Sequence, residues 1–524
     1  MSSSVVSLRP INLVFRLSPL MAAMTLFITP VYAASETILN EQTVSTVLRA
    51  DVDIQHYRFH QDYILGTSLD VVITTPNRQD AEKALQAIQT EIARLDQILS
   101  VWREDSEISQ LNREQSISAS PELYEVIAAC EQWRSATCGG FDARLGQLIE
   151  LWEQGNDVQR LDLNTQETLL QQLKKQSIEL NSQTKQITTS SAIKIVPDAY
   201  AKGYVIDRAL IEAKKAVPHL QGILIDIGGD MRVWGQSPSQ TAWKVGLQDP
   251  MQHFDNAAPS QVLKLKDQAI AFSGQGYRQL AGQSHLLNPK TGLPVQQVEQ
   301  CVVVGQCAAD ADALATALTA MTPDEGMQLI EQLVGYEAQL VTRDGQHYQS
   351  SGWSSLLDAN QPAIMRHIAA NTSATTWPKG YQAQLEVNIP KLAVEKYRAP
   401  YVSIWVTDTD KKLVRTLAVW GNDEKWINSN YVWWRRYGRQ MQNLDAVAKP
   451  SRQPGQYKLA WDGKDEQGKM VNAGQYVIHI ETSREHGDRS YQTFELEVAP
   501  KAVNKTLPAQ AEIGVLKLNF QRGV

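Results

Sequence analysis

Asp312 and Thr316 stand four residues apart in the segment CAADADALATAL, residues 307–318. On a helix that spacing puts both on one face, with Cβ atoms roughly 5–6 Å apart. A carboxylate and a hydroxyl together offer two hard oxygen donors, suited to Mg2+ or Ca2+ rather than to zinc. The neighbours are alanine and leucine, which ask for burial, so a carboxylate here needs a partner. A plainer arrangement is also open: Asp310 or Asp312 caps the helix, and Thr316 bonds back to a carbonyl.

Four other segments carry residues that bear on the same chemistry. In AYAKGYVIDRAL, Ala199 to Leu210, Pro197 and Asp198 mark a helix start. Gly203 lies one turn in, where it costs about 1 kcal/mol relative to alanine, a cost that a ligand or a second backbone at close quarters would explain. Lys202 beside it suits an anionic phosphate at a helix N-terminus, or it is a surface lysine next to a packing glycine. In SGQGYRQLAGQSHLLNPKTGLP, Asn288-Pro289 and Thr291-Gly292 punctuate a tight turn after His285. His285 could take or deliver a proton near neutral pH, although a histidine before a turn is commonly structural. SVWREDSEISQLN, Ser100 to Asn112, reads as a capped loop with polar ends, and CGGFDARLGQLIELW offers Gly139-Gly140 for a close approach and Asp142 as a polar contact.

The elements that must position these groups alternate helical and strand-like periods from about Val44 to Trp353, an α+β texture. Apolar residues at Ala84, Leu85, Ile88, Ile92, Leu95 and Ile98 predict an amphipathic helix over Asp80–Leu99. GILIDIGGDMRVW predicts a hairpin around Gly228-Gly229, and YEAQLVTRDGQHYQSSGW a second around Asp344-Gly345. Val302–Val304 reads as a strand entering the helix of Asp312. Beyond a small, polar stretch ending at Pro378 the pattern turns all-β, with five strand-like runs separated by turn chemistry, which predicts a small sandwich. The residues after Pro500 show no readable pattern and are taken as a tail.

At the N-terminus, Arg9 and Arg16 precede the apolar run Leu17–Val31, and Val31-Tyr32-Ala33 is followed by Ala34, the form of an export signal cleaved near Ala33. No later stretch reaches ~18 uninterrupted apolar residues, so an exported, periplasmic protein is expected. A formal net charge of −7 over 524 residues argues against a nucleic-acid partner. Cys130 with Cys138 and Cys301 with Cys307 could pair, but four cysteines allow three connectivities.

Taken in order, Leu65-Gly66-Thr67, SEISQLN, FDARLG, AKGYVIDRA, IGGD, HLLNPKTGLP and ADALATA resemble the ApbE family of FAD:protein FMN transferases. The resemblance implies a bilobal α+β fold holding FAD in a cleft, with Mg2+ (or Ca2+ or Mn2+) on its pyrophosphate. An acceptor protein's threonine or serine hydroxyl attacks the FMN-side phosphorus, AMP leaves, and FMN stays attached as a phosphodiester. Asp312 and Thr316 would be metal ligands with the carbonyl of Ala199. Lys202 would lie on the cofactor, as would Leu65, Trp102, Arg103, Asp142 and the backbone of Leu286, while His285 would activate the acceptor hydroxyl. The chain departs from the family pattern at Val196-Pro197-Asp198-Ala199, at Asn288, and at Arg144, where the family carries threonine.

The C-terminal region resembles a periplasmic domain of unknown function found fused to such proteins, and GQYKLAWDGKDEQGKMVNAGQYVIHIE looks immunoglobulin-like. Trp433, Trp434, Arg435 and Arg436 form a recognition patch or simply pack and solvate as pairs. The expected organisation is a signal peptide over 1–33, the flavin transferase domain over 44–355, a linker over 356–378, an Ig-like β-sandwich over 379–500 and a tail over 501–524. No Asp-x-x-Ser/Thr-Gly-Ala/Ser-Thr acceptor motif occurs in the chain, so the acceptor would be a separate protein of a membrane or periplasmic redox system. An FAD pyrophosphatase releasing free FMN, or a non-enzymatic flavin-binding and docking protein, are the alternatives.

Overall fold

The computed structural model describes residues 55–523 other than 155–162, 240, 253, 276–278, 281–282, 359–376, 395–396, 422–426, 441–447 and 450–451. The expected export signal and cleavage site therefore lie outside the described residues. Among the described residues no helix is long and apolar enough to cross a membrane.

An eight-stranded antiparallel sheet organises the first part. Its strands follow one another in chain order: Gln55–Ile64, Thr67–Thr75, Gly222–Ile227, Asp230–Gly235, Ala269–Gly274, Val298–Gly305, Glu337–Thr342 and His347–Gln349. Period-two alternation gives the sheet two apolar faces. Leu69, Val71, Ile73, Ile223, Ile225 and Ile227 point into the larger core with the helices, whereas Val72 and Val233 point the other way. That second face is covered by the ribbon Trp243–Leu247/Gln261–Leu265 and by Trp353. The expected hairpins form at Gly228-Gly229, both at positive φ, and at Gly345.

Helices Arg78–Leu99, Asp198–Ala216 and Ala308–Thr319 lie on the larger face. The first buries Ala84, Ile88, Ile92 and Leu95 on one stripe and starts at Asn77, whose side chain accepts from Asp80 N. Helices Glu107–Glu114, Pro121–Ala136, Gly146–Gln154 and Leu163–Lys175, with a three-stranded sheet (Ser116–Ser118, Glu179–Asn181, Gln186–Thr188), share that same continuous core.

The C-terminal part is a pair of β-sheets enclosing a separate core. Strand Leu516–Arg522 pairs with Tyr381–Ile389, and Val503–Leu507 pairs beside it. The stretch after Pro500 is thus two strands rather than a tail. It escapes a sequence reading because its strands are short and separated by polar turns, and only pairing gives them a buried face. Trp377, expected in the linker, is buried edge-on against Trp461 and Phe520, so it belongs to the sandwich. Trp433 is buried, whereas Arg435 and Arg436 are exposed, with Arg435 5.6 Å from the exposed Tyr431 ring.

A loop of the first part hydrogen-bonds to the second. Asp255 N donates to Lys458 O at 2.7 Å, Asn256 exchanges two hydrogen bonds with Ala460, and Asp255 accepts from Trp420 Nε1 and Arg452. The loop thereby covers the free edge of strand Gly455–Trp461, the outermost strand of its sheet. All four cysteines are free thiols.

Candidate functional site

The site is built where helix Asp198–Ala216 crosses the first turn of helix Ala308–Thr319. Gly203 makes the crossing possible: a Cβ on it would lie 2.3 Å from Ala308 O and 2.6 Å from Ala309 Cα. The glycine is there for a second backbone. Asp207, one turn further on, accepts from Ala309 N at 3.0 Å and so caps the second helix from outside. Asp310, the expected cap, instead accepts from Trp133 Nε1 at 2.8 Å, Tyr336 OH at 2.9 Å and Cys307 Sγ.

Within helix Ala308–Thr319 every residue is buried except Asp310 and Thr316, which are partly exposed. Asp312 is 3% exposed and accepts from Gly203 N at 3.3 Å. In a regular helix that N–H would serve the carbonyl of Ala199, four residues back, so Asp312 shares a donor with the expected carbonyl ligand. Thr316 Oγ1 lies 3.2 Å from Ser273 Oγ on the central sheet, not on a helix carbonyl. A buried carboxylate with one long hydrogen bond, a hydroxyl one turn on and a helix-start carbonyl fit a hard divalent cation. Among the described residues no group of three or more His, Cys, Asp or Glu side chains could hold a metal ion. A hard-cation site here would thus depend on carbonyl, hydroxyl and substrate oxygens around one carboxylate.

The charges explain one another. Lys202 Nζ is 2.6 Å from Asp230 Oδ2, on the strand that follows the Gly228-Gly229 turn. Burial pulls the Lys202 ammonium down, but Asp230 and Asp312 outweigh it and hold it above its ordinary value. Asp312 is pushed well up by burial and then by the Asp230 carboxylate. Asp226, across the same hairpin, rises to about 7 through burial and the nearby Asp70. One lysine thus serves several buried acids, an environment short of positive charge. Asp230 was not singled out from sequence, although it closes the IGGD segment; the turn glycines were the visible signal.

His285 sits half-buried ahead of a turn fastened on two sides. Thr291 N and Gly292 N donate to Asn288 O, and Asn288 Nδ2 donates to Ala320 O, at the end of the helix that carries Asp312 and Thr316. Asn288, a departure from the family pattern, thereby ties the His285 turn to that helix. Leu286 O accepts from Val295 N.

The remaining segments converge as well. Asn112 exchanges hydrogen bonds with Ile195, and Val196 N donates to Ala143 O, so SEISQLN and FDARLG both brace the entry to helix Asp198–Ala216. The buried Cys130 thiol is raised first by burial and then by Glu131, Asp142 and Asp312, which places it within electrostatic range of both aspartates. Leu65, at φ +48, forms the tip of the first hairpin, and Thr67 behind it packs on Gly228. Trp102 is 69% exposed, and Arg103 pairs with Asp96 and Asp105. Asp142 is engaged by Arg144 through both carboxylate oxygens.

Residues 65–340, a little over half of the chain, match the ApbE family, and residues 382–515 match a family described as "Predicted periplasmic protein (DUF2271)". An FAD:protein FMN transferase of Escherichia coli K12 is 25% identical over 308 residues, covering 56% of this chain and 85% of its own length. One from Vibrio cholerae serotype O1 is 27% identical over 288 residues, covering 51% and 82%. The crystal structure of the ApbE protein of Thermotoga maritima superposes with a TM-score of 0.52 at 25% identity, over 58% of this chain and 100% of that one.

Proposed function

This chain belongs to the ApbE family, and from that premise we propose that it transfers FMN from FAD to a partner protein. The acceptor's threonine or serine oxygen forms a bond to the FMN-side phosphorus. The pyrophosphate P–O bond breaks and AMP leaves. One arrangement carries the reading: the Asp312–Thr316 stripe, Lys202 beside it, and the His285 turn tied to the end of the same helix by Asn288.

Asp312, Thr316 and the carbonyl of Ala199 would hold a divalent ion, magnesium first, which neutralises charge on the pyrophosphate. Lys202 stays protonated throughout the working pH range and turns from Asp230 toward the substrate phosphates, while His285 takes the proton of the acceptor hydroxyl. Leu65, Trp102, Arg103 and the Leu286 backbone face the flavin and adenine portions. The acceptor is a separate protein of a membrane or periplasmic redox system, and export is directed by residues 1–33. The match to a family described as periplasmic supports that location.

The test mixes the mature protein with FAD, MgCl2 and an acceptor domain bearing Asp-x-x-Thr-Gly-Ala-Thr. A covalently fluorescent acceptor and stoichiometric AMP are expected. AMP and free FMN without an adduct would mean a pyrophosphatase, and tight FAD binding without AMP a binding protein. Asp312→Ala should lose Mg2+-dependent turnover while keeping its circular dichroism; full Mg2+-dependent activity in that variant would overturn the ligand assignment.

A further inference from the structure

Arg144 stands where the family pattern has threonine, and the structure gives it an unusual set of partners. Its side chain is 7% exposed. Nε and one terminal nitrogen donate to the two oxygens of Asp142 at 2.9 and 2.7 Å. The other terminal nitrogen donates to Leu173 O at 3.2 Å and Gln176 O at 2.9 Å, at the C-terminal end of helix Leu163–Lys175. Helix-end carbonyls lack intrahelical donors and carry the negative end of the helix dipole, so a guanidinium is well matched to them. Only arginine's planar fork can grip a carboxylate and those carbonyls together.

The same helix reaches the His285 turn. Gln166, in its first turn, donates from Nε2 to Thr291 O at 2.9 Å. Gly292 packs so closely that a Cβ there would sit 3.2 Å from Gln166 Nε2 and 3.3 Å from Leu170 Cδ1. Trp152, from the preceding helix, donates to Gly292 O at 2.9 Å. The turn is therefore held between Ala320 on one side and helix Leu163–Lys175 on the other.

We propose that Arg144 is a positioning residue: by clamping the end of helix Leu163–Lys175 to Asp142, it fixes the buttress that holds the His285 turn. Asp142 then serves the reaction by holding Arg144. The proposal rests on the transferase reading for the role of His285. A loosened buttress leaves FAD binding intact but lets His285 wander from the acceptor hydroxyl, and a displacement of ~1 Å can cost 10²-fold in rate.

The test compares wild type, Arg144→Thr, Gln166→Leu and the double variant. For Arg144→Thr the expected result is an FAD Kd within threefold of wild type and a transfer kcat at least tenfold lower. Hydrogen–deuterium exchange over residues 284–294 should also speed up in the FAD-free protein. Gln166→Leu, which cuts the far end of the chain without touching the buried ion pair, should show the same pattern more mildly if Arg144→Thr fails to fold. The double variant should lose less than the product of the single losses, because both act through one helix. An unchanged kcat, a tenfold weaker FAD Kd with kcat preserved, unchanged exchange at 284–294, or multiplicative losses would each overturn the proposal. Failure of wild type to form an adduct would instead overturn the transferase reading, and the exchange measurement would still judge the clamp.

Discussion

Gly203→Ala is the smallest change that should open the site. The added methyl would meet Ala308 O at 2.3 Å and Ala308 C at 2.4 Å, where ordinary contact begins at 3.4 Å. The helices must therefore part by about 1 Å, since these are backbone atoms that cannot rotate away. Alanine returns about 1 kcal/mol of helix propensity, while overpacking of this kind costs ~1–3 kcal/mol, occasionally more. The net effect on stability is a modest loss. The effect on the site is larger, because Ala199 and Asp312 lie on opposite sides of the gap and Mg2+ tolerates little departure from ~2.0–2.1 Å ligand distances. Calorimetric Mg2+ titration and thermal melting of the FAD-free protein read the two effects separately. We expect a melting point a few degrees lower and at least tenfold weaker metal binding. Trimming the neighbour as well, in Gly203→Ala/Ala308→Gly, should not rescue either quantity, because the atoms struck belong to the backbone and not to the side chain removed. Wild-type metal affinity in Gly203→Ala would refute the reasoning that this crossing sets the ligand geometry.

Three other outcomes follow from the contacts described. Asp226 has its folded carboxyl raised to about 7, so the folded state keeps a proton that the unfolded state has released above the ordinary carboxyl value of 3.8. Stability from this group is thus fully present at low pH and falls as pH rises through 7, and Asp226→Asn should flatten the melting-point slope across that window. Asp255→Ala strands the Arg452 guanidinium and the Trp420 indole N–H while keeping the backbone bond to Lys458, and breaking a buried pair costs ~3–5 kcal/mol. The C-terminal sheets should then melt separately in calorimetry, and a single unshifted transition would show that this loop does not couple the parts. His285→Ala should lower transfer by about 10²–10⁴-fold with FAD affinity unchanged; an equal loss in FAD affinity would make it a binding group.

Local pattern made much of this protein readable in advance. The i, i+4 spacing of Asp312 and Thr316 needs only a helix to put them on one face, and Gly203 announces a close approach whatever does the approaching. The hairpins at Gly228-Gly229 and Gly345 follow from turn chemistry within a few residues. What could not be read are partners chosen by chain crossing. Asp310 looks like a cap until Trp133 and Tyr336 arrive from distant elements to claim it, and Asp207 takes the capping task from another helix. Lys202 reads from sequence either as a phosphate ligand or as a surface lysine, yet the fold gives it Asp230 and sets it among buried acids. Strand Leu516–Arg522 has no buried face until Tyr381–Ile389 pairs with it, and Arg144 shows its purpose only where the end of helix Leu163–Lys175 meets Asp142. Sequence by itself determined the family, the helices of Ile88, Lys202 and Asp312 and the residues able to do the chemistry, because those depend on short-range periodicity and order. Tertiary structure alone decided which charges are buried together and which turn is braced, because burial and pairing are properties of surfaces that only folding brings into contact.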